Sequence, residues 1–248
     1  MSMVDPRSSA LSAALNQGRL TPVYQPIWTI DGQLVGYEAL TRFPNGCPPD
    51  AVWQLAERQH VATELDAIAL NSAVAEATDL AGALFLNITA MQLHSPSKLV
   101  RYGGPDRIVL EVTETELAAD DGREGVQWLK SRGYRIAMDD AGVGWSTEER
   151  LGWLEPDIVK LDHTLVYAFC NGAPSSLSRW IRQANAIGAA VLAEGVEDVR
   201  WIARLRAEGV GLIQGYAAGR PRAASYWNLT APLRASNALR PGAALWGS

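Results

Sequence analysis

Polar side chains stand where the apolar, β-rich runs of this chain end: Glu38, Asn87, Glu111, Asp139 with Asp140, Lys160, Glu194 and Gln214. A strand that ends on a polar residue is ordinary; seven in succession are not. Five carboxylates brought together would repel one another, and they stay ionised most easily around cations. The donors are all oxygens, with no Cys or His among them, which favours Mg²⁺ or Mn²⁺ over zinc. Their number exceeds what one octahedral ion takes, so two ions roughly 3.5–4 Å apart fit. Such a pair suits phosphoester hydrolysis, because one ion acidifies a bound water and both stabilise charge on the phosphate oxygens. Lys160 inside the acidic ring either holds that water or forms a structural salt bridge.

The elements that must position these residues follow from the pattern around them. Side chains alternate between the faces of a strand. Asp139 and Asp140 can therefore share a site only where "YRIAMD" ends and the backbone turns, and Gly142 and Gly144 follow at once. "PVYQPIW" and "LVGYEAL" flank Asp31-Gly32, a hairpin signal, so these two strands run antiparallel. Two helices come next, the second with a capping-box-like start at Thr63-Glu64-Leu65-Asp66. Then strands "ALFLNI", "RIVLEV", "YRIAMD", "DIVKLD", "AAVLAE" and "VGLIQG" alternate with amphipathic helices. Leu177, Trp180, Ile181 and Ala184 keep the 3.6-residue period, and Gly133 and Gly209 mark helix ends. The pattern predicts an α/β fold, a modified TIM (β/α)8 barrel with one antiparallel strand in an opening hairpin. A doubly wound open sheet is the structural rival, but no G-x-G-x-x-G loop follows any strand. In a barrel, all the polar strand ends meet on one rim.

Composition narrows the partners. The chain has 248 residues, 48% of them apolar, enough for a sizeable core. Its net charge of −5 argues against a DNA or RNA polymer as ligand. Cys47 and Cys170 form no C-x-x-C pattern, and His60, His94 and His163 are scattered, so neither a disulfide framework nor a zinc site is expected. No signal peptide and no run approaching a membrane span is found in the sequence, which predicts a cytoplasmic protein.

The ordered motifs also carry a resemblance. "YEALTR", with Glu38-Ala39-Leu40 and Arg42, resembles the signature of EAL-domain cyclic di-GMP phosphodiesterases. "YQPI", "LNIT", "LEVTE", "DDAGVG", "VKLD", "AEGVE" and "QGYAAGRP" stand in the family's order, over roughly residues 20 to 222. The expected organisation is a helical N-terminal leader (1–19), the EAL barrel (20–225) and a loosely packed C-terminal tail (226–248). The resemblance implies two Mg²⁺ or Mn²⁺ ions on Glu38, Asn87, Glu111, Asp139, Asp140 and Glu194, with Asp139 bridging. It implies a water contact for Lys160, a role around the second ion or its water for Glu194, and further active-site positions at Glu197 and Gln214. Gln25 and Arg42 match substrate-contacting positions, and Glu114 matches a glutamate that holds the loop after the aspartate pair. Arg42 lies on the same strand face as Glu38 by period 2 and could pair with a phosphate, or be a surface arginine on a fraying strand end.

The implied reaction opens one phosphodiester of cyclic di-GMP to give linear pGpG, with strict metal dependence and with Ca²⁺ inhibitory. The alternative is a catalytically inactive EAL domain serving as a cyclic di-GMP receptor or protein-interaction scaffold. The family also implies a homodimer through the loop and helix after Asp140. Here Ala141 replaces the usual Phe and Glu148 the usual Leu, which puts coupling between dimerisation and activity in doubt. His163 stands where an arginine is frequent.

Overall fold

The computed structural model describes residues 5–112, 122–142 and 148–230. Glu114 and residues 143–147, 231–248 lie outside them. The described chain forms two compact units, one of residues 25–38 and 81–220, the other of residues 5–24, 39–80 and 221–230.

The strands are β1 (Thr21–Thr29), β2 (Leu34–Arg42), β3 (Ala83–Ile88), β4 (Ile108–Val112), β5 (Arg135–Ala141), β6 (Ile158–Leu161), β7 (Ala190–Ala193) and β8 (Leu212–Ile213). They close into a barrel in chain order. β2 to β8 pair in parallel, and β1 pairs antiparallel with β8, Trp28 opposite Ile213. The predicted fold is thus the observed one, and β1 is the reversed strand. Its turn into β2 uses Gly32 at φ 85°, with the Gln33 carbonyl accepting from the Thr29 N–H at 2.8 Å.

The helices are α1 (Pro6–Gln17), α2 (Pro49–Arg58), α3 (Ala62–Glu76), α4 (Ala90–Leu93), α5 (Arg123–Lys130), α6 (Glu148–Leu154), α7 (His163–Cys170), α8 (Leu177–Ala186), α9 (Trp201–Glu208) and α10 (Ala224–Thr230). α8 buries Leu177, Trp180, Ile181 and Ala184, the stripe its period predicts. Gly209 caps α9 in the left-handed conformation, whereas α5 ends three residues before Gly133, whose N–H closes the turn onto the Lys130 carbonyl.

One apolar layer plugs the barrel: Ile27, Val35, Phe85, Val109, Ala137, Ile158, Leu192 and Leu212, with Ala83 and Ala190. Period 2 then sets the rim. Two residues beyond a plug residue, on the same strand face, stand Asn87, Glu111, Asp139, Lys160, Glu194 and Gln214. β1 runs the other way, so its rim residue, Gln25, precedes Ile27. β2 departs from this spacing: Gly36 holds the position two before Glu38, and a Cβ there would lie 2.1 Å from the Ala83 carbonyl oxygen.

The second unit contains α1, α2, α3 and α10. α1 opens with Asp5, whose carboxylate accepts from the Arg7 N–H, and closes at Gly18. Its core holds Leu11, Ala14, Phe43, Val52, Ala56, Leu65 and Ala69, with the Phe43 and Trp53 rings packed edge to face at 5.2 Å. Thr63 does not cap α3: the helix starts at Ala62, and Asp66 turns inward to accept from the Trp53 indole N–H at 2.7 Å. α10 continues to Thr230, and the Trp227 indole donates to the Tyr24 carbonyl at 2.7 Å.

Burial raises the Asp66 carboxyl above its usual range, only partly offset by the Trp53 hydrogen bond. The native state therefore holds this proton more tightly than the unfolded chain, and the stability due to Asp66 falls as pH rises through the raised value. Asp66→Asn keeps the acceptor without the charge and is expected to be at least as stable as wild type at pH 7, the gap closing in acid. Asp66→Ala is expected to lose about 1–3 kcal/mol. Urea unfolding at pH 5 and pH 7 checks both; a D66N variant weaker at pH 7 than at pH 5, relative to wild type, contradicts the assignment.

Candidate metal centre

The rim converges on Lys160. Its Nζ lies 2.8 Å from Asp139 Oδ1, 2.8 Å from Glu194 Oε1, 3.0 Å from Glu111 Oε1 and 3.7 Å from Glu38 Oε1. The Lys160 side chain is 1% exposed and that of Glu111 is 0%. Amides complete the ring around Glu38: Asn87 Nδ2 donates to Oε1 at 3.1 Å and Gln214 Nε2 to Oε2 at 2.5 Å. Gln214 Nε2 also lies 3.2 Å from Gln25 Oε1, and Gln25 Nε2 donates to the Gly219 carbonyl at 3.1 Å. Gln25 thereby ties the rim to the turn that follows β8.

The aspartate pair is solved by backbone geometry. The register between β5 and β6 slips between Met138 and Ala141, and Asp140 takes φ 51°. A bulge of this kind re-aims side chains that strict alternation would send to opposite faces, and Asp is among the residues that tolerate this conformation. Asp139, Asp140 and Glu194 consequently offer oxygens that all lie within 4.8 Å of one another.

Electrostatics sets the protonation of the ring. Burial alone would lower the Lys160 ammonium, but Asp139, Glu111, Glu194 and Glu38 together raise it well above its usual value, so it stays charged. Burial raises Glu111 well above the carboxylate range; Lys160 opposes this, while Glu38 and Asp139 add to it. Glu194 is pushed up to about 8, first by burial and then by Asp139 and Glu38, against Lys160.

Not every predicted residue joins the ring. Arg42 is the exposed last residue of β2, in the other unit, and its guanidinium donates to the Thr41 carbonyl at 2.9 Å. Glu197 is exposed in the connection after Glu194. Sequence reasoning passed over two groups. Asp162 caps α7 by accepting from the Thr164 N–H at 2.8 Å, a signal readable as Asp-x-Thr before a helix. Arg150 is buried in α6, and no local pattern marks it.

The donor set fits divalent cations. One ammonium faces four carboxylates, which leaves excess negative charge, and Glu111 Oε2 is buried without a hydrogen-bond partner among the described residues. All candidate ligand atoms are hard oxygens. Glu38, Asn87 through its carbonyl oxygen, Glu111, Asp139, Asp140 and Glu194 are the residues that could hold such ions.

Replacing Lys160 by Met strands buried carboxylates without their counter-ion. Loss of one partner of a buried ion pair costs about 3–5 kcal/mol, so Lys160→Met is expected to melt well below wild type in EDTA. Mn²⁺ should return part of the difference. Thermal unfolding with and without Mn²⁺ checks this, and a K160M protein as stable as wild type in EDTA contradicts the electrostatic assignment.

The EAL domain family model matches residues 8–221. The probable cyclic di-GMP phosphodiesterase PdeA of Escherichia coli is 29% identical over 86% of this chain, which spans 32% of that protein. The cyclic di-GMP phosphodiesterase RocR of Pseudomonas aeruginosa is 29% identical over 84% of this chain, which spans 58% of it. This chain thus spans less than two thirds of the length of these curated relatives. Among solved structures, the PaMucR phosphodiesterase in its c-di-GMP complex superposes with a TM-score of 0.77 at 25% identity, covering 89% of this chain and 98% of that one. A match of this extent, on a closed barrel with one reversed strand, places the protein in the EAL domain family.

Proposed function

We propose that this chain hydrolyses one phosphodiester bond of cyclic di-GMP to linear pGpG, with two Mg²⁺ or Mn²⁺ ions held on the acidic rim. The observation that carries the reading is the four carboxylates gathered about Lys160, with Asp140 beside Asp139 and Glu194. Bound ions supply acidification of a water and neutralisation of phosphate charge. Lys160 Nζ, fixed by its carboxylates, orients the attacking water by donating to it. Glu194, 2.8 Å from Nζ, is the candidate acceptor for the proton that water releases, in the ionised form that bound cations would favour. A new P–O bond forms in line as the bond from phosphorus to the 3′ oxygen breaks, and that oxygen takes up a proton. Gln214 and Gln25 hold Glu38 and the turn at Gly219 in place. Gln25, Arg42, Glu197 and Gln214 serve the substrate, Arg42 as a partner for phosphate. Self-association through α6 and the residues before it belongs to the same reading, with sizing by light scattering as its measure. Among the described residues no helix is long and apolar enough to cross a membrane.

With Mg²⁺ or Mn²⁺ the purified protein is expected to convert cyclic di-GMP to pGpG, resolved by nucleotide chromatography. Glu38→Ala should cut turnover by at least ~100-fold, since even residues that only support metal ligands cost 10–100-fold, and should leave circular dichroism unchanged. Ca²⁺ should bind yet slow the reaction, because its looser coordination positions water poorly. Tight nucleotide binding without turnover in either ion would instead identify an inactive receptor.

A further inference from the structure

We infer that Arg150 is a positioning residue for the acidic rim, latching α6 to the end of the strand that carries Glu111. The inference rests on the metal reading of that rim. Arg150 is 6% exposed, and its Nη2 donates to the Val112 carbonyl at 2.8 Å. Val112 is the last residue of β4 and directly follows Glu111. Val112 pairs with Met138 of β5, the residue just before the aspartate pair. The Val112 carbonyl is buried and needs a hydrogen-bond donor. α6 supplies one.

The choice of donor matters. Burying a guanidinium is costly, and a flexible neutral side chain would hold the Val112 carbonyl more loosely. A rigid planar guanidinium gives a fixed, directional tether instead. The tether joins α6, the first described element after the aspartate pair, to β4. α6 also packs against β5, which carries Asp139 and Asp140, so one helix holds both strands. A rim that binds ions through residues of both β4 and β5 depends on the spacing between them, in the way that supports behind metal ligands tune affinity.

Electron paramagnetic resonance of Mn²⁺ titrated into the protein, which separates free from bound ion, tests this without reference to turnover. Arg150→Met keeps the length and apolar stem and removes the donor. It is expected to weaken Mn²⁺ binding by about 10–100-fold, measured well below its melting temperature with circular dichroism unchanged. Arg150→Lys, which keeps a charged donor, should recover part of the affinity. A role limited to stability would lower the melting temperature of R150M and leave the Mn²⁺ affinity of the folded protein as in wild type, and that result overturns the inference. If R150M does not fold, R150K decides: weaker Mn²⁺ binding supports the latch, and unchanged binding overturns it. Wild-type protein that binds no Mn²⁺ overturns the metal reading itself, and the inference with it.

Discussion

One ammonium buried among four carboxylates is the interaction on which the rim depends. Lys160 reaches Asp139, Glu194 and Glu111 at 2.8–3.0 Å and Glu38 at 3.7 Å, almost wholly out of water. Buried like charges at this density are tolerable only with a counter-charge at their centre. That requirement makes the ring geometrically stiff, because each carboxylate is held by a shared partner instead of by solvent. It also leaves the ring short of positive charge, which is the electrostatic basis for divalent ions there.

The barrel supplies the stiffness from below. An apolar layer with a contribution from every strand fills its interior, and on six strands the next inward position is a rim residue. Displacing one rim group would disturb a close-packed layer two residues away. Chemistry and stability are therefore divided along each strand: apolar side chains lower down keep the fold, polar ones at the C-terminal end face the site. The exceptions mark where geometry is forced. β2 carries Gly36 against the Ala83 carbonyl, and β5 slips register to present two acids in succession.

Much of this was legible in the residue order. Alternating strand and helix periods, the Asp31-Gly32 turn and the polar strand ends were enough for the barrel, the reversed strand and the rim residues at Asn87, Glu111, Asp139, Lys160, Glu194 and Gln214. Local signals misled where burial competes with them. Thr63 has the pattern of a cap, yet Asp66 is drawn to the Trp53 indole in the core. Arg150 reads as one more charge on a polar helix start, and it is buried.

The sequence by itself determined the kind of chemistry, because oxygen donors at the ends of successive strands constrain the ion class whatever their distances. It also determined the topology, since crossover lengths and one tight turn leave few ways to arrange the strands. Only the tertiary structure decided how those donors meet: Lys160 central to four acids, Asp140 turned by a positive φ, and Gln25 joined through Gln214 to Glu38. These contacts link residues far apart in the chain, and their geometry comes from strand register and packing, which no local pattern encodes.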